Sequence, residues 1–195
     1  MSADDTFQIL ALAGSYRSGS YNQTLIATAR ELAPAGVEIT DFDLRSLPHY
    51  DGDLEAAGDP EPVQALKDSV RSADALLVVT PEYNSGMPGV LKNGIDWSSR
   101  MYPNAPLANK LVAVIGATPG RSGTKHAQDH ARQVLGRTGA VVIDEPELML
   151  ARAGDAIEDG TVVSNDTREL LAAVLGSIVH TAALCAEAGT SAIAG

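Results

Sequence analysis

Cysteine is almost missing from this sequence of 195 residues, because Cys185 is the only one. A single cysteine excludes an intrachain disulfide, and the Ala- and Leu-rich stretch around Cys185 predicts a buried, small apolar residue. Long apolar runs are missing too. The longest, near 75–79 and 111–115, fall far short of the ~20 residues that a membrane-spanning helix needs, so the sequence predicts no span.

Basic residues are scarce, since 14 Lys and Arg oppose 25 Asp and Glu and leave a formal charge of −11. This sign excludes general binding to a nucleic-acid backbone. It does not exclude a small anionic ligand, because a few oriented N–H groups and one arginine make a locally positive pocket. The N-terminal residues 1–6 are acidic where a secretory signal is basic, so we expect a cytoplasmic protein that does not bind membranes.

The rest of the composition, 45% apolar and 20% charged, is that of an ordinary globular protein, and we expect residues 1–195 to form a single domain. Five short apolar runs alternate with segments of helical periodicity, which predicts an α/β fold with a doubly wound parallel sheet and helices on both faces. The predicted strands are 7–13, 37–42, 75–80, 111–115 and 140–143, and the predicted helices lie near 25–33, 63–70, 88–97, 125–138 and 166–188.

Ligands of such sheets bind beyond the carboxyl ends of the strands, which selects the loops after the first, third and fourth strands. The first loop, 14–22, reads GSYRSGSYN and opens a helix. Its hydroxyls, the helix N-terminus and the forked guanidinium of Arg17 favour a phosphate site, with a merely polar turn as the alternative. Ser20 and Gln23 fit a capping box, which predicts that the Ser20 hydroxyl caps this helix. The loop lacks the residues of a Walker A or dinucleotide-binding motif.

The loop after the third strand carries the most specific pattern. PEYN at 81–84, PG at 88–89 and LKNGIDW at 91–97 resemble the NADPH-dependent FMN reductase family of flavodoxin-like proteins, whose first loop likewise reads GS-x-R-x-x-S-x-N. The likeness runs from about Phe7 to about His180, and close relatives include bacterial quinone reductases that also reduce chromate and azo compounds. The resemblance implies a flavodoxin-like five-stranded sheet in the order 2-1-3-4-5.

The resemblance also implies FMN as cofactor and NADPH or NADH as co-substrate. The first loop would hold the FMN phosphate, and the PEYN loop would contact the flavin ring near its N5 and its pyrimidine edge. The loop after the fourth strand matches only through small residues that allow a close approach to the ring. The implied cofactor-binding residues are Ser15, Arg17, Ser20, Tyr21, Asn22, Pro81, Glu82, Tyr83, Asn84, Ser85, Thr118 and Gly120; no catalytic or metal-binding residue is predicted.

The implied activity is a hydride transfer from NADPH to bound FMN, followed in ping-pong order by reduction of a quinone, flavin, azo compound or oxyanion. Family members are usually homodimers or homotetramers, and we expect the same here. The alternative is a flavodoxin-like single-electron carrier without NADPH activity, because an acidic surface suits docking to basic partners; a flavin-free sensor is a third hypothesis. Arg17, PEYN and LKNGIDW favour the reductase.

Two features after the fourth strand stay open. Arg121 meets either the phosphates of NADPH or solvent, and solvent is favoured. His126 and His130 are four residues apart on a predicted helix, so their rings share one face, as two metal ligands do. Ala127 stands where a zinc helix would carry a catalytic Glu, so a solvated face is favoured over a metal site.

Overall fold

A five-stranded parallel sheet forms the centre of the fold. The computed structural model describes residues 6–100 and 104–193. The strands are β1 (Phe7–Ala13), β2 (Val37–Phe42), β3 (Ala75–Val79), β4 (Leu111–Ala117) and β5 (Val141–Leu150). They pair in parallel in the order β2-β1-β3-β4-β5, which confirms the implied strand order.

Helices connect the strands and cover both faces of the sheet. They are α1 (Tyr21–Glu31), α2 (Gly52–Ala57), α3 (Glu61–Ser72), α4 (Gly89–Ser98), α5 (Lys125–Arg137) and α6 (Asn165–Ile193). Alternate residues of one strand belong to two separate apolar clusters. In β1, Ile9 and Ala11 share a cluster with α1 and α6, whereas Leu10 and Leu12 share one with α3, α4 and α5. Burial on both faces explains why the central strands β1, β3 and β4 are almost entirely apolar, whereas the edge strands β2 and β5 are partly exposed and carry polar residues.

Strand β5 is longer than the predicted 140–143, because it continues past the polar residues that interrupt the apolar pattern. Its register against β4 shifts between Ala113 and Ile115. Arg132 of α5 fills the irregularity, since its guanidinium donates to the carbonyl oxygens of Ile143 at 2.6 Å and Val114 at 3.3 Å. Carbonyl groups beside the shift therefore find a donor from a helix, and the strand continues toward the site.

Helix α2 and a short hairpin have no counterpart in the sequence prediction. Helix α2 buries none of its residues, so it carries no periodic apolar signal. A hairpin after β5 pairs β6 (Ile157–Glu158) with β7 (Thr161–Val162). Each of its strands has two residues, which is too short for an alternating pattern to emerge.

Helix α6 bears on two expectations. Over Asn165–Ala188 it is long and apolar enough to cross a membrane by length and composition, although no such segment was predicted. Its Leu171, Val174 and Ile178 pack on the sheet, so one face belongs to the core. The predicted burial of Cys185 is wrong: this side chain is exposed, because α6 runs on past the last residue that it buries against the sheet.

Candidate functional site

A cavity of about 240 Å³ opens at the carboxyl edge of the sheet, among the loops that follow β1, β3 and β4. Two of its lining residues, Ala117 and Pro119, were not predicted, because their side chains carry no polar group that would mark them in a sequence. The other nine belong to the predicted set of twelve. The lining residues are Ser15, Arg17, Ser20, Tyr21, Asn22, Pro81, Glu82, Tyr83, Ala117, Thr118 and Pro119.

Three predicted residues lie outside the lining. Asn84 and Ser85 form the exposed tip of a two-residue turn, in which both have a positive φ, 51° and 59°. Tyr83 and Gly86 close this turn by exchanging two backbone hydrogen bonds of 3.0 Å. Gly120 follows directly after Pro119, beyond the cavity wall. The turn leaves the Tyr83 ring 51% exposed beside the cavity.

The first loop is held in place by its neighbours. A Cβ on Gly14 would lie 2.9 Å from the Pro81 ring, so only glycine allows the first and third loops to approach this closely. The Tyr16 hydroxyl donates to the Phe42 carbonyl at 3.1 Å and accepts from the Leu44 N–H at 2.9 Å. Burial of the hydroxyl raises the pKa of Tyr16 to about 12. Tyr16 thereby ties the loop to the end of β2.

Ser20 occupies the N-cap position of α1, but its hydroxyl does not cap the helix. The predicted capping box is wrong, because Gln23 donates instead to the Ser15 carbonyl at 3.0 Å. The Ser20 side chain is buried, and its Oγ has no hydrogen-bond partner among the described residues. A buried hydroxyl without a partner is unfavourable unless a ligand supplies one. Ser20 therefore marks the point in the cavity at which a ligand would supply a hydrogen-bonding polar group.

Asn22 lies on the cavity wall and also joins two elements. Its Nδ2 donates to the Ala117 carbonyl, and its Oδ1 accepts from the Ala117 N–H, each at 2.9 Å. This pair fixes the first turn of α1 to the last residue of β4. The side-chain amide has one N–H left for a ligand.

Glu82 connects the PEYN loop to α5. Its Oε2 accepts from the Ala127 N–H at 3.1 Å, in the first turn of that helix, where the Thr124 side chain provides no cap. A carboxylate is stabilised at a helix N-terminus by unpaired N–H groups and by the helix dipole. Glu82 therefore lines the cavity as a fixed acceptor.

The loop after β4 begins at a close contact between strands. A Cβ on Gly116 would lie 2.0 Å from the Thr80 carbonyl oxygen, so no other residue fits there. Beyond it, the Thr118 N–H donates to the Leu150 carbonyl, and the Thr118 carbonyl accepts from the Ala153 N–H, both at 3.0 Å. The third wall of the cavity is thus bonded to the segment that follows β5.

The LKNGIDW run positions a neighbouring loop and contributes no lining residue. Asn93 and Trp97 both donate a side-chain N–H to the Pro48 carbonyl at 2.9 Å, and Asn93 Oδ1 accepts from the Tyr50 N–H at 2.8 Å. A Cβ on Gly94 would lie 2.8 Å from a Leu44 methyl carbon. Asn93, Gly94 and Trp97 therefore hold α4 against the segment after β2.

Metal chemistry has no support in the part of the chain that the structure describes. No group of three His, Cys, Asp or Glu side chains there is arranged to hold an ion. His126 and His130 are both exposed on α5.

The sheet order, the helices on both faces and the polar cavity at the carboxyl edge define a flavodoxin-like α/β protein. Residues 7–155 match the model of the NADPH-dependent FMN reductase family. The chain belongs to that family, and it is an oxidoreductase that uses FMN and NAD(P)H.

Individual relatives agree with this assignment. The chain is 42% identical over 168 residues to an NAD(P)H-dependent FMN reductase of Pseudomonas aeruginosa, covering 86% of this chain and 90% of that protein. It is 38% identical over 168 residues to the quinone reductase of Escherichia coli strain K12, covering 81% and 89%. Among solved structures, the flavoenzyme NAD(P)H:(acceptor) oxidoreductase FerB from Paracoccus denitrificans superimposes with a TM-score of 0.81 at 35% identity, covering 89% and 96%.

The residues present fit FMN. Its phosphate is an acceptor-rich anion, and the cavity offers the unpartnered Ser20 hydroxyl, the exposed Arg17 and the first turn of α1. The cavity is smaller than the roughly 300–1,000 Å³ of most small-molecule sites. It therefore suits the phosphate end of the cofactor, and the exposed Tyr83 beside it offers a flat surface for the ring.

Proposed function

We propose that this enzyme takes a hydride from NADPH or NADH and passes the electrons to a quinone, a free flavin, an azo compound or an oxyanion in a ping-pong sequence. The observation that carries the proposal is the buried, unpartnered Ser20 hydroxyl in a cavity formed by all three predicted loops. Bound FMN supplies the redox chemistry by accepting a hydride and releasing electrons to the acceptor.

The phosphate end of the site is formed by the first loop. Ser15 and Ser20 are buried, whereas Arg17 is exposed with its guanidinium 5.3 Å from the centre of the Tyr21 ring. In this arrangement the hydroxyls and the helix N–H groups would donate hydrogen bonds to the FMN phosphate, and Arg17 would add a forked, charge-assisted contact. Asn22 contributes mainly by holding α1 against β4.

The ring end is formed by the PEYN loop. Pro81 is buried and Glu82 is engaged by α5, so the backbone of this loop has a fixed position at the end of β3. Fixed backbone dipoles stabilise negative charge that develops on a neighbouring heterocycle without a titrating side chain. For this reason we assign no general acid or base, and Glu82 acts as a structural acceptor.

The exposed side of this loop supports the proposed ping-pong order. Tyr83 is half exposed at the mouth of the cavity, so the nucleotide and the acceptor have one open surface to use in turn. The similarity of this chain to the quinone reductase of Escherichia coli supports the proposal that a quinone is one acceptor. We further propose that residues 1–195 form one domain, that the chain assembles into a homodimer or homotetramer, and that it works in the cytoplasm.

The test is the visible spectrum of the FMN-loaded protein under anaerobic conditions, recorded before and after NADPH and again after a quinone. The proposal expects the flavin band to bleach with NADPH and to return with quinone. A band that NADPH leaves unchanged would favour the single-electron carrier instead. A protein that does not retain FMN would contradict the assignment of all three loops.

A further inference from the structure

Two arginines beside the cavity lack any side-chain partner. Arg121 and Arg152 are exposed, and their guanidinium groups make no hydrogen bond, ion pair or ring contact with any residue that the structure describes. This is unusual in a chain with 25 acidic and 14 basic residues. Most other cationic side chains are paired with a carboxylate, as in Arg45 with Asp43 and Arg168 with Glu31.

The backbone places both arginines on the same rim of the site. The Arg152 N–H donates to the Gly120 carbonyl at 2.8 Å, directly before Arg121 in the chain. The next residue, Ala153, donates to Thr118, which lines the cavity. Arg152 adopts a left-handed conformation, with a φ of 46°. Two unpaired positive charges therefore flank the outer edge of the loop after β4.

Such a pair has the chemistry of a phosphate receptor. Two arginines on backbone segments that are hydrogen-bonded to each other can both reach one dianion, which offsets the repulsion between their positive charges and accepts several charge-assisted hydrogen bonds. The FMN phosphate has its own donors in the first loop, around Ser20 and the start of α1. The arginine pair is therefore available to a second phosphate that approaches from the open side of the site.

We propose that Arg121 and Arg152 bind the 2′-phosphate of NADPH and give the enzyme a preference for NADPH over NADH. NADH lacks this phosphate, so the pair distinguishes the two nucleotides by charge. The inference rests on the proposed function, because it names the reductant of that same site. It also changes the interpretation of Arg121, for which the sequence favoured solvent.

The test compares Arg121→Ala, Arg152→Ala and the double variant with the parent protein. Arg137→Ala is the matched control, because Arg137 also lacks a described side-chain partner but lies at the far end of α5, away from the cavity. We expect kcat/KM for NADPH to fall about three- to tenfold for each single variant and about 10- to 100-fold for the double variant, whereas kcat/KM for NADH changes less than about twofold. The control leaves both values unchanged.

Calorimetric titration of the FMN-loaded protein with adenosine 2′,5′-bisphosphate provides a second readout that does not depend on turnover. We expect this probe to bind the parent and the Arg137→Ala protein, to bind the double variant at least about tenfold more weakly, and to exceed the affinity of adenosine 5′-monophosphate.

Three results would overturn the inference: equal losses with NADPH and NADH, an unchanged double variant, or equal binding of the two adenosine probes to the parent. Failure of the proposed function is recognised separately. In that case neither nucleotide bleaches the flavin of the parent protein, while the titration still decides whether the arginines bind a 2′-phosphate.

Discussion

Asn22 and Ala117 exchange two hydrogen bonds of 2.9 Å, so one side chain satisfies both backbone groups of the last residue in β4. The two residues are 95 positions apart in the chain. Their pairing sets the distance between the helix that begins at the cavity and the strand that ends there. The shape of the site therefore depends on one buried amide.

Asn22→Ala should lower the free energy of unfolding by about 2–5 kcal/mol, because it leaves a buried N–H and a buried carbonyl without partners. Urea denaturation of the FMN-free protein measures this change. Gln23→Ala is the control: it removes one bond, to the Ser15 carbonyl, from a half-buried side chain, and should lose about 1 kcal/mol. Equal losses for the two variants would show that the Ala117 pairing is not special.

Ser20→Ala should weaken FMN binding about tenfold without destabilising the FMN-free protein. The hydroxyl makes no bond to α1, so its removal deletes no cap and relieves a buried unpartnered group. Fluorescence titration with FMN and thermal unfolding measure the two effects. Ser18→Ala, at an exposed position of the same loop, should change neither. A loss of about 1 kcal/mol in the FMN-free Ser20 variant would instead indicate a capping role.

Arg17→Ala should weaken FMN retention about tenfold and leave the melting temperature of the FMN-free protein unchanged, because Arg17 is an exposed loop residue. Arg17→Lys should recover only part of the affinity, since an ammonium group cannot make the forked contact. Equilibrium dialysis against FMN measures both variants. An affinity unchanged by Arg17→Ala would remove Arg17 from the site.

Tyr16→Phe should reveal a pH dependence above neutrality. Burial raises the pKa of Tyr16 in the folded protein to about 12, from the ordinary tyrosine value of 10.0, so the folded state favours the protonated phenol. Its contribution to stability is complete below about pH 10 and is lost as the pH rises toward 12. The stability advantage of the parent over Tyr16→Phe, measured in urea, should shrink across that interval. A constant difference would mean that the hydroxyl does not titrate abnormally.

Gly116→Ala should prevent normal folding, because its methyl group would lie 2.0 Å from the Thr80 carbonyl oxygen and meet backbone that cannot move. The soluble yield and the circular dichroism spectrum measure the effect. Gly136→Ala is the matched control, since nothing lies within 4 Å of its new methyl group. It lies within α5, and we expect it to raise stability by about 0.5–1 kcal/mol. A well-folded Gly116→Ala protein would contradict the close approach of β3 and β4.

The sequence predicts those elements whose apolar residues are continuous. The bounds of β1 match the prediction, because burial on both faces leaves an almost uninterrupted apolar signal. The signal fails where stability comes from a distant partner. Strand β5 continues past its polar residues because Arg132 reaches the irregular stretch from another element, and no local pattern reports such a contact.

The candidate site likewise has some features that the sequence predicts and others that it does not. Parallel topology brings the loops together, so their lining follows from the chain once the strands are located. Side-chain pairing does not follow in this way. The serine-to-glutamine spacing suits a capping box, yet Gln23 binds Ser15 and leaves the Ser20 hydroxyl free. Whether a polar group pairs within the loop or faces the cavity depends on three-dimensional distances that spacing does not encode.

The contact between Glu82 and the first turn of α5 makes the two ends of the cavity electrostatically different. The Glu82 carboxylate already neutralises the partial positive charge at the N-terminus of α5. At α1 the corresponding end carries the Ser20 hydroxyl without a partner. An elongated ligand with one anionic end therefore has a single favourable orientation, because reversing it would bring its negative charge toward Glu82. The fold thus determines which end of a bound molecule is enclosed and which end stays open to a second reactant.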